Sequence, residues 1–294
     1  MKTGMQEAAS PHQIPPHYKP LNRSGAQVGE VIDFTRPDEG QMLESGMVKK
    51  TGRAVSLCAF LSIALLIALQ GTVRGGENAP LAGIAPDGRA ITTDGELDRF
   101  TNTYYLSPRP ELVPQAIKYI TANQILSKYD HVRLPLSAFF SRLFADNPSL
   151  TTGWKKEIGE QDPAAQAFFM TALQSAPKRF IDESRNGIER NDVCWALFFA
   201  SGDTVYLTEI VRQLQYLDER EDMVRYLAAA TARWSLASNA RTHPKVKAAM
   251  EALENGEDVK LREVAGGILR KGPQQISEET IAVLKEQKSK GIWR

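Results

Sequence analysis

The sequence predicts an all-α fold, and three observations carry that expectation. Apolar residues recur at helical spacing through residues 107–288, Pro and Asp/Asn stand where helices would begin, and runs of alternating β-branched residues are almost absent. The one strand candidate, Arg89 to Thr92, is short.

Residues 1–53 come first. They carry Pro11, Pro15, Pro16, Pro20 and Pro37, few large apolar residues and no sustained period, the composition of a disordered tail. Ile14 to Pro20 has the texture of a polyproline ligand, although a plain linker is the simpler reading. His12 and His17 have no further ligands close by in sequence, so no metal site is expected there.

Residues 54–69 read AVSLCAFLSIALLIAL, without a charge. As a helix this run spans about 24 Å at 1.5 Å per residue, short of the ~30 Å hydrocarbon core. Gln70 to Val73 can extend it, and Lys50, Arg53 and Arg74 can snorkel to the interfaces. Apolar on every face, the run predicts a single membrane pass over residues 54–73. Lys49, Lys50 and Arg53 precede it and Arg74 alone follows closely, which places the N-terminus in the cytoplasm and the later residues across the membrane. Two readings stay open. Translation from Met47 would give a secretory signal layout, whereas the region around Leu69 to Val73 lacks small residues at both −1 and −3, which favours an uncleaved anchor. Ala54, Cys58 and Ser62 lie four apart, a spacing compatible with self-association of the segment.

Residues 74–95 are Gly- and Pro-rich and suit a linker, leaving residues 96–294 as the exported helical domain. A helix is expected from Ser107 to about Lys128, with Leu112, Ala116, Ile117 and Ile120 on one face. Pro135 opens a second with Phe139, Phe140, Leu143 and Phe144, and Ser149 to Ile158 follows. Asp162-Pro163 is an N-cap followed by Pro at the first helical position. Asn191 or Asp192 is expected to cap a helix that stops at Ser201-Gly202. Asp203 then caps the next, making a tight αα-hairpin. Helices from about Glu219 to Asn239, from His243-Pro244, and over Val259 to Leu269 and Ser277 to Lys288 complete the chain.

Pro110, Pro148 and Pro244 share the form polar-Pro-x-Leu/Val, the first two 38 residues apart and the third 96 further on. That spacing resembles armadillo- or HEAT-type helix pairs, implying a short α-α superhelix; an irregular helical bundle is the alternative.

Chemistry is sparse. With 36 basic and 35 acidic residues, the net charge of +1 gives no general reason to bind nucleic acid. Two cysteines, Cys58 in the apolar run and Cys194 beyond it, exclude a disulfide scaffold; Cys194, among Val193, Trp195, Leu197 and Phe198, reads as a small buried side chain. No HExxH helix, GxSxG elbow, phosphate loop or dinucleotide glycine pattern occurs, so no catalytic, cofactor or metal residue is assigned. Gly266-Gly267 reads as close helix packing, and His243 as part of a helix start. Glu183-Ser184 has the dipeptide of some peptidoglycan-cleaving enzymes without the downstream stretch that would support it. Trp195, Tyr206 and Trp234 sit at helical spacing; core packing is the default, and a partner surface the functional alternative.

These features together lead to an expected layout: a bacterial inner-membrane protein with a cytoplasmic tail, one anchor and a periplasmic helical scaffold. Such a scaffold would bind envelope proteins, for instance in a secretion or assembly complex. The alternatives are an envelope hydrolase acting on cell-wall material and a soluble helical protein released by signal cleavage.

Overall fold

The computed structural model describes residues 90–293. The expected tail, the apolar segment with Ala54, Cys58 and Ser62, and most of the linker lie outside the described residues. Among the described residues, no helix is long and apolar enough to cross a membrane.

The described part is all-α: thirteen α-helices, short 3-10 turns and no strand. The segment Ala90 to Thr92, which overlaps the strand candidate, is not a strand. α1 spans Asp94–Thr103. Its start is a reciprocal cap: Thr93 Oγ1 accepts from the Glu96 amide at 3.2 Å, and the Glu96 carboxylate accepts from the Thr93 amide at 2.9 Å. This helix was not expected from the sequence.

The expected helix up to Lys128 is broken. A 3-10 turn over Pro110–Leu112 leads into α2, Val113–Ala122. Asn123 turns its amide back onto the Tyr119 carbonyl at 3.0 Å, Gln124 takes a left-handed φ of +54°, and α3 is only Ile125–Lys128. α4, Arg133–Asp146, starts two residues before Pro135, which its first turn accommodates because the N–H there lacks an intrahelical partner.

α5 (Thr151–Gly159), α6 (Pro163–Gln174) and α7 (Pro177–Asp182) follow. Asp162 caps α6 as expected, its Oδ1 accepting from the amides of Ala164 and Ala165 at 2.9 and 3.0 Å. α8 spans Gly187–Ser201 and starts earlier than predicted. Asn186, not Asn191 or Asp192, is its cap, accepting from the Glu189 amide at 2.9 Å.

Gly202 stops α8 in the left-handed conformation, and Asp203 Oδ1 accepts from the Val205 amide at 3.1 Å at the start of α9, Val205–Gln213. The αα-hairpin thus forms as the Gly-Asp signal implies. α10 (Met223–Asn239), α11 (Pro244–Glu254), α12 (Val259–Arg270) and α13 (Pro273–Ser289) end the chain. α10 begins at the Asp222 cap rather than near Glu219.

α4 and α8 form the most extensive helix pairing and stand between two apolar cores. Phe139, Phe140, Leu143 and Phe144 of α4 belong to the N-terminal core with α1, α2, α5 and α6. Ala138 of α4 joins the other, with most of α8, α9, α10 and Ile268 and Ile276. Ala196 of α8 touches both. Phe140 and Phe169 meet edge-on at 5.1 Å, and each is fully buried. Burial of such a ring contributes about 1.5–3 kcal/mol. A smaller cluster, Tyr226, Ala230 and Trp293, fixes the C-terminus against α10.

Alanines are buried along α10: Ala228 lies against α8, Ala232 and Ala237 join the core that α8 shares, and Ala230 packs with Trp293. Polar bonds cross the α8–α10 interface. Asn191 Nδ2 donates to the Ala228 carbonyl at 2.9 Å and lies 3.3 Å from Thr231 Oγ1. One turn on, Trp195 Nε1 donates to Ser235 Oγ at 2.9 Å.

Candidate functional site

A groove of about 530 Å³ opens between the start of α4, α6 and the turn joining α7 to α8. Its floor comes from three helices. Phe168 of α6 and Phe180 of α7 are buried, and Leu134 and Ser137 of α4 lie between them. Exposed Ala164, Ala167 and Thr171, with their small side chains, mark the α6 side.

The rim carries charges of both signs. Arg133 holds its guanidinium 5.9 Å from the centre of the Phe168 ring, a cation–π contact, and donates to the Leu126 carbonyl at 3.2 Å. Glu189 takes the Arg185 guanidinium at 2.7 Å, and Glu183 takes Arg179 at 2.6 Å. The hydrogen bond from Arg185 holds the Glu189 carboxyl below the usual carboxylate range, against the upward pull of burial. Burial likewise lowers the His131 imidazole, with Asp130 opposing it. The Glu183 of the dipeptide singled out in the sequence does reach this groove, but as half of an ion pair.

One turn beyond Glu189 on α8, Asp192 is half-buried and has neither a hydrogen bond nor an ion pair among the described residues. Burial, reinforced by the Glu189 charge, pushes its carboxyl up to about 7. Asp192 does not itself line the groove.

The other histidine of the described residues has a different role from the one its sequence position implies. His243 occupies the N-cap position of α11, yet its side chain caps nothing. Its ring is buried, with Nδ1 3.0 Å from Tyr105 Oη and the Phe199 ring at 5.1 Å. Burial pushes the imidazole down to about 4 and the Tyr105 hydroxyl up to about 12. The bond therefore joins a neutral phenol and a neutral imidazole, its direction set by the imidazole tautomer. Lys245 completes the junction: Nζ donates to the Gly202 carbonyl at 2.6 Å and lies 5.5 Å from the centre of the Tyr105 ring. These contacts tie the segment after α1 to the end of α8 and the start of α11.

The aromatic residues considered as a partner surface are separated by burial. Trp195 and Tyr206 are 6% and 8% exposed, in the core, while Trp234 is half-buried at its edge. Cys194 is fully buried, and burial pushes its thiol up to about 12, so it packs as a small apolar side chain. Among the described residues no group of three His, Cys, Asp or Glu is placed to hold a metal. Sequence reasoning had assigned Phe168 to a helix face without seeing the groove. Phe180, Arg133 and Arg185 come to it from three separate elements, and no local pattern joins them.

No protein family, curated protein or solved structure compared with this chain matches it.

Proposed function

We propose that the described domain is a protein-binding module whose groove between α4, α6 and the α7–α8 turn receives a short segment of a partner. The observation that carries this reading is the groove's composition: half-buried Leu134 over buried Phe168 and Phe180, inside a rim of Arg133, Arg185, Glu183 and Glu189. An apolar anchor flanked by charged residues matches such a surface, because the floor supplies the desolvation energy and the rim selects orientation. The rim acids Glu183 and Glu189 are engaged by arginines, which suits recognition better than proton transfer. With the apolar segment 54–69 as a membrane anchor, the module is a tethered scaffold of the bacterial envelope, its tail in the cytoplasm and its groove on the far side.

Photo-crosslinking from residue 171 of the full chain, in its native membrane, tests the groove. A discrete protein adduct is expected, and Ala164→Arg with Ala167→Arg, which fills the α6 side, should abolish it. No adduct, or an adduct indifferent to the filled groove, overturns the reading. Sequencing the mature N-terminus tests the tether: a start near residue 71 would replace the anchor with a cleaved signal.

A second reading, a hydrolase of cell-wall material, needs an acid in a cleft, and Asp192, whose carboxyl is pushed up to about 7, lines neither groove. Turnover of cell-wall substrate that Asp192→Asn abolishes would support it over the binding module. Equal turnover by the variant would remove it.

A further inference from the structure

Away from the first groove, a second of about 490 Å³ lies between the 3-10 turn Leu214–Asp218, α10, α12 and α13. Its size falls within the range of small-molecule sites. Cations outnumber acids on its wall. Arg220, Arg233, Lys260 and Lys271 face Asp218, Glu263 and Glu279.

The pairing is less balanced than that tally. Lys260 is matched, its Nζ 2.7 Å from Asp218 and 2.9 Å from the Gln215 carbonyl. Glu279, by contrast, serves two cations at once: Oε2 accepts from Arg233 Nη2 at 2.8 Å and Oε1 from Lys271 Nζ at 2.6 Å. Burial raises this carboxyl, and the bonds from Lys271 and Arg233 outweigh it to hold it low. Arg220 reaches only Glu286, at 3.8 Å, and Glu286 is already bonded to Lys290 at 2.5 Å. Three carboxylates thus answer the four cations, and one of them, Glu286, is shared with Lys290. Glu263, the remaining acid on the wall, is exposed to solvent.

Unmet donors point the same way. Of the described residues, three have a buried side-chain polar atom without a partner, and two of those atoms are N–H donors: Arg233 Nε and Trp293 Nε1. Arg233 lines this groove, whereas Trp293 does not line it and packs on Tyr226 with ring centres 5.5 Å apart. Buried donors are almost always bonded, so the orphan Nε of a groove-lining arginine is consistent with an acceptor that the protein itself does not provide.

We propose that this groove binds an oxyanion, a phosphate or carboxylate group of a small molecule, through Arg233 and Lys271 with Arg220 at its edge. Glu279 holds the two inner cations in place between binding events. The ligand shares them with Glu279 rather than displacing it, since two cations facing one carboxylate leave a net positive charge.

Calorimetric titration of the full chain with inorganic phosphate and, separately, succinate tests this at fixed ionic strength set with chloride. Saturable binding of either probe is expected, and the probe that binds identifies the group. Lys271→Met leaves the Arg233–Glu279 bond intact and should weaken binding about 10-fold, the loss of one charge-assisted hydrogen bond. Glu279→Gln keeps the shape and removes the competing charge, so it should tighten binding several-fold. A purely structural ion-pair network predicts the reverse for Glu279→Gln: a lower melting temperature and no gain in binding. Absence of binding by both probes, or binding that neither variant changes, overturns the proposal.

Discussion

Three glycines separate two effects that a single substitution would confound. Gly202 has φ +68°, and a Cβ there would lie 2.5 Å from Tyr105 Cδ2 and 2.8 Å from Lys245 Nζ. Gly291 has nearly the same conformation, φ +69°, with nothing within 4 Å of its Cβ position. Gly95, inside α1, has neither constraint. Alanine at Gly95 should therefore stabilise by about 0.5–1 kcal/mol through helix propensity and lost unfolded-state entropy. At Gly291 it should cost about 1–2 kcal/mol, the left-handed penalty alone. At Gly202 the same penalty is joined by about 1–3 kcal/mol of overpacking. The Tyr105 ring is packed against Phe198 at 4.8 Å and His243 at 5.6 Å, which resists its displacement. The total at Gly202 is about 2–5 kcal/mol. Urea unfolding of the full chain, followed by tryptophan fluorescence, measures all three. A Gly202→Ala cost equal to that of Gly291→Ala would show that the Tyr105–Lys245 junction yields freely, and a neutral Gly202→Ala would remove the left-handed stop itself.

Ser235→Ala should cost about 1–3 kcal/mol in the same assay, since it strands the buried Trp195 N–H; a cost under 0.5 kcal/mol, on the scale of an ordinary surface change, would mean that bond is unimportant. Two buried groups should also act on stability with opposite signs across mildly acidic pH. His243 sits at about 4 against an ordinary 6.5, so its contribution, about 3 kcal/mol, is complete above pH 6.5 and lost as pH falls through 4. Asp192 sits at about 7 against 3.8, so its contribution, at most about 4 kcal/mol, is complete below pH 3.8 and lost as pH rises through 7. Unfolding free energies from pH 4 to 8 should accordingly show Asp192→Asn raising stability at the neutral end and steepening the acid loss. A profile parallel to that of the unsubstituted chain would refute the burial of that carboxylate.

Sequence reading succeeded where one local rule decides the outcome. Asp162-Pro163 starts a helix and Gly202 stops one because capping and backbone handedness act within a few residues. It failed where the deciding contact is distant. Asn191 looks like a cap and is instead a buried donor to α10, 37 residues away, and this shifts the start of α8 back to Asn186. His243 looks like a cap and instead bonds Tyr105, 138 residues earlier. The α1 start was missed although Thr93-Asp-Gly-Glu96 carries a capping-box pattern, because the Gly and Pro content before it suggested linker. Neither groove was legible: the two cations on Glu279 of α13 come from α10 and the α12–α13 turn, and only packing brings the three together.

The same polar bonds that misled the reading of α8 also explain how the grooves keep their shape. An interface that includes Ala228 and Ala232 has small side chains that do little to fix the axial position of one helix against another. The bonds from Asn191 and Trp195 supply that register, matching donors one turn apart on α8 to Ala228, Thr231 and Ser235 on α10. Gly187 permits the approach, since a Cβ there would stand 2.5 Å from that of Ala228. α8 contributes Glu189 to the first groove, and α10 contributes Tyr226 and Arg233 to the second. A slip of α10 by one turn would move Arg233 by about 5.4 Å relative to α8. The buried polar seam therefore fixes α10, which carries Arg233, against α8, which carries Glu189, although it lines neither groove.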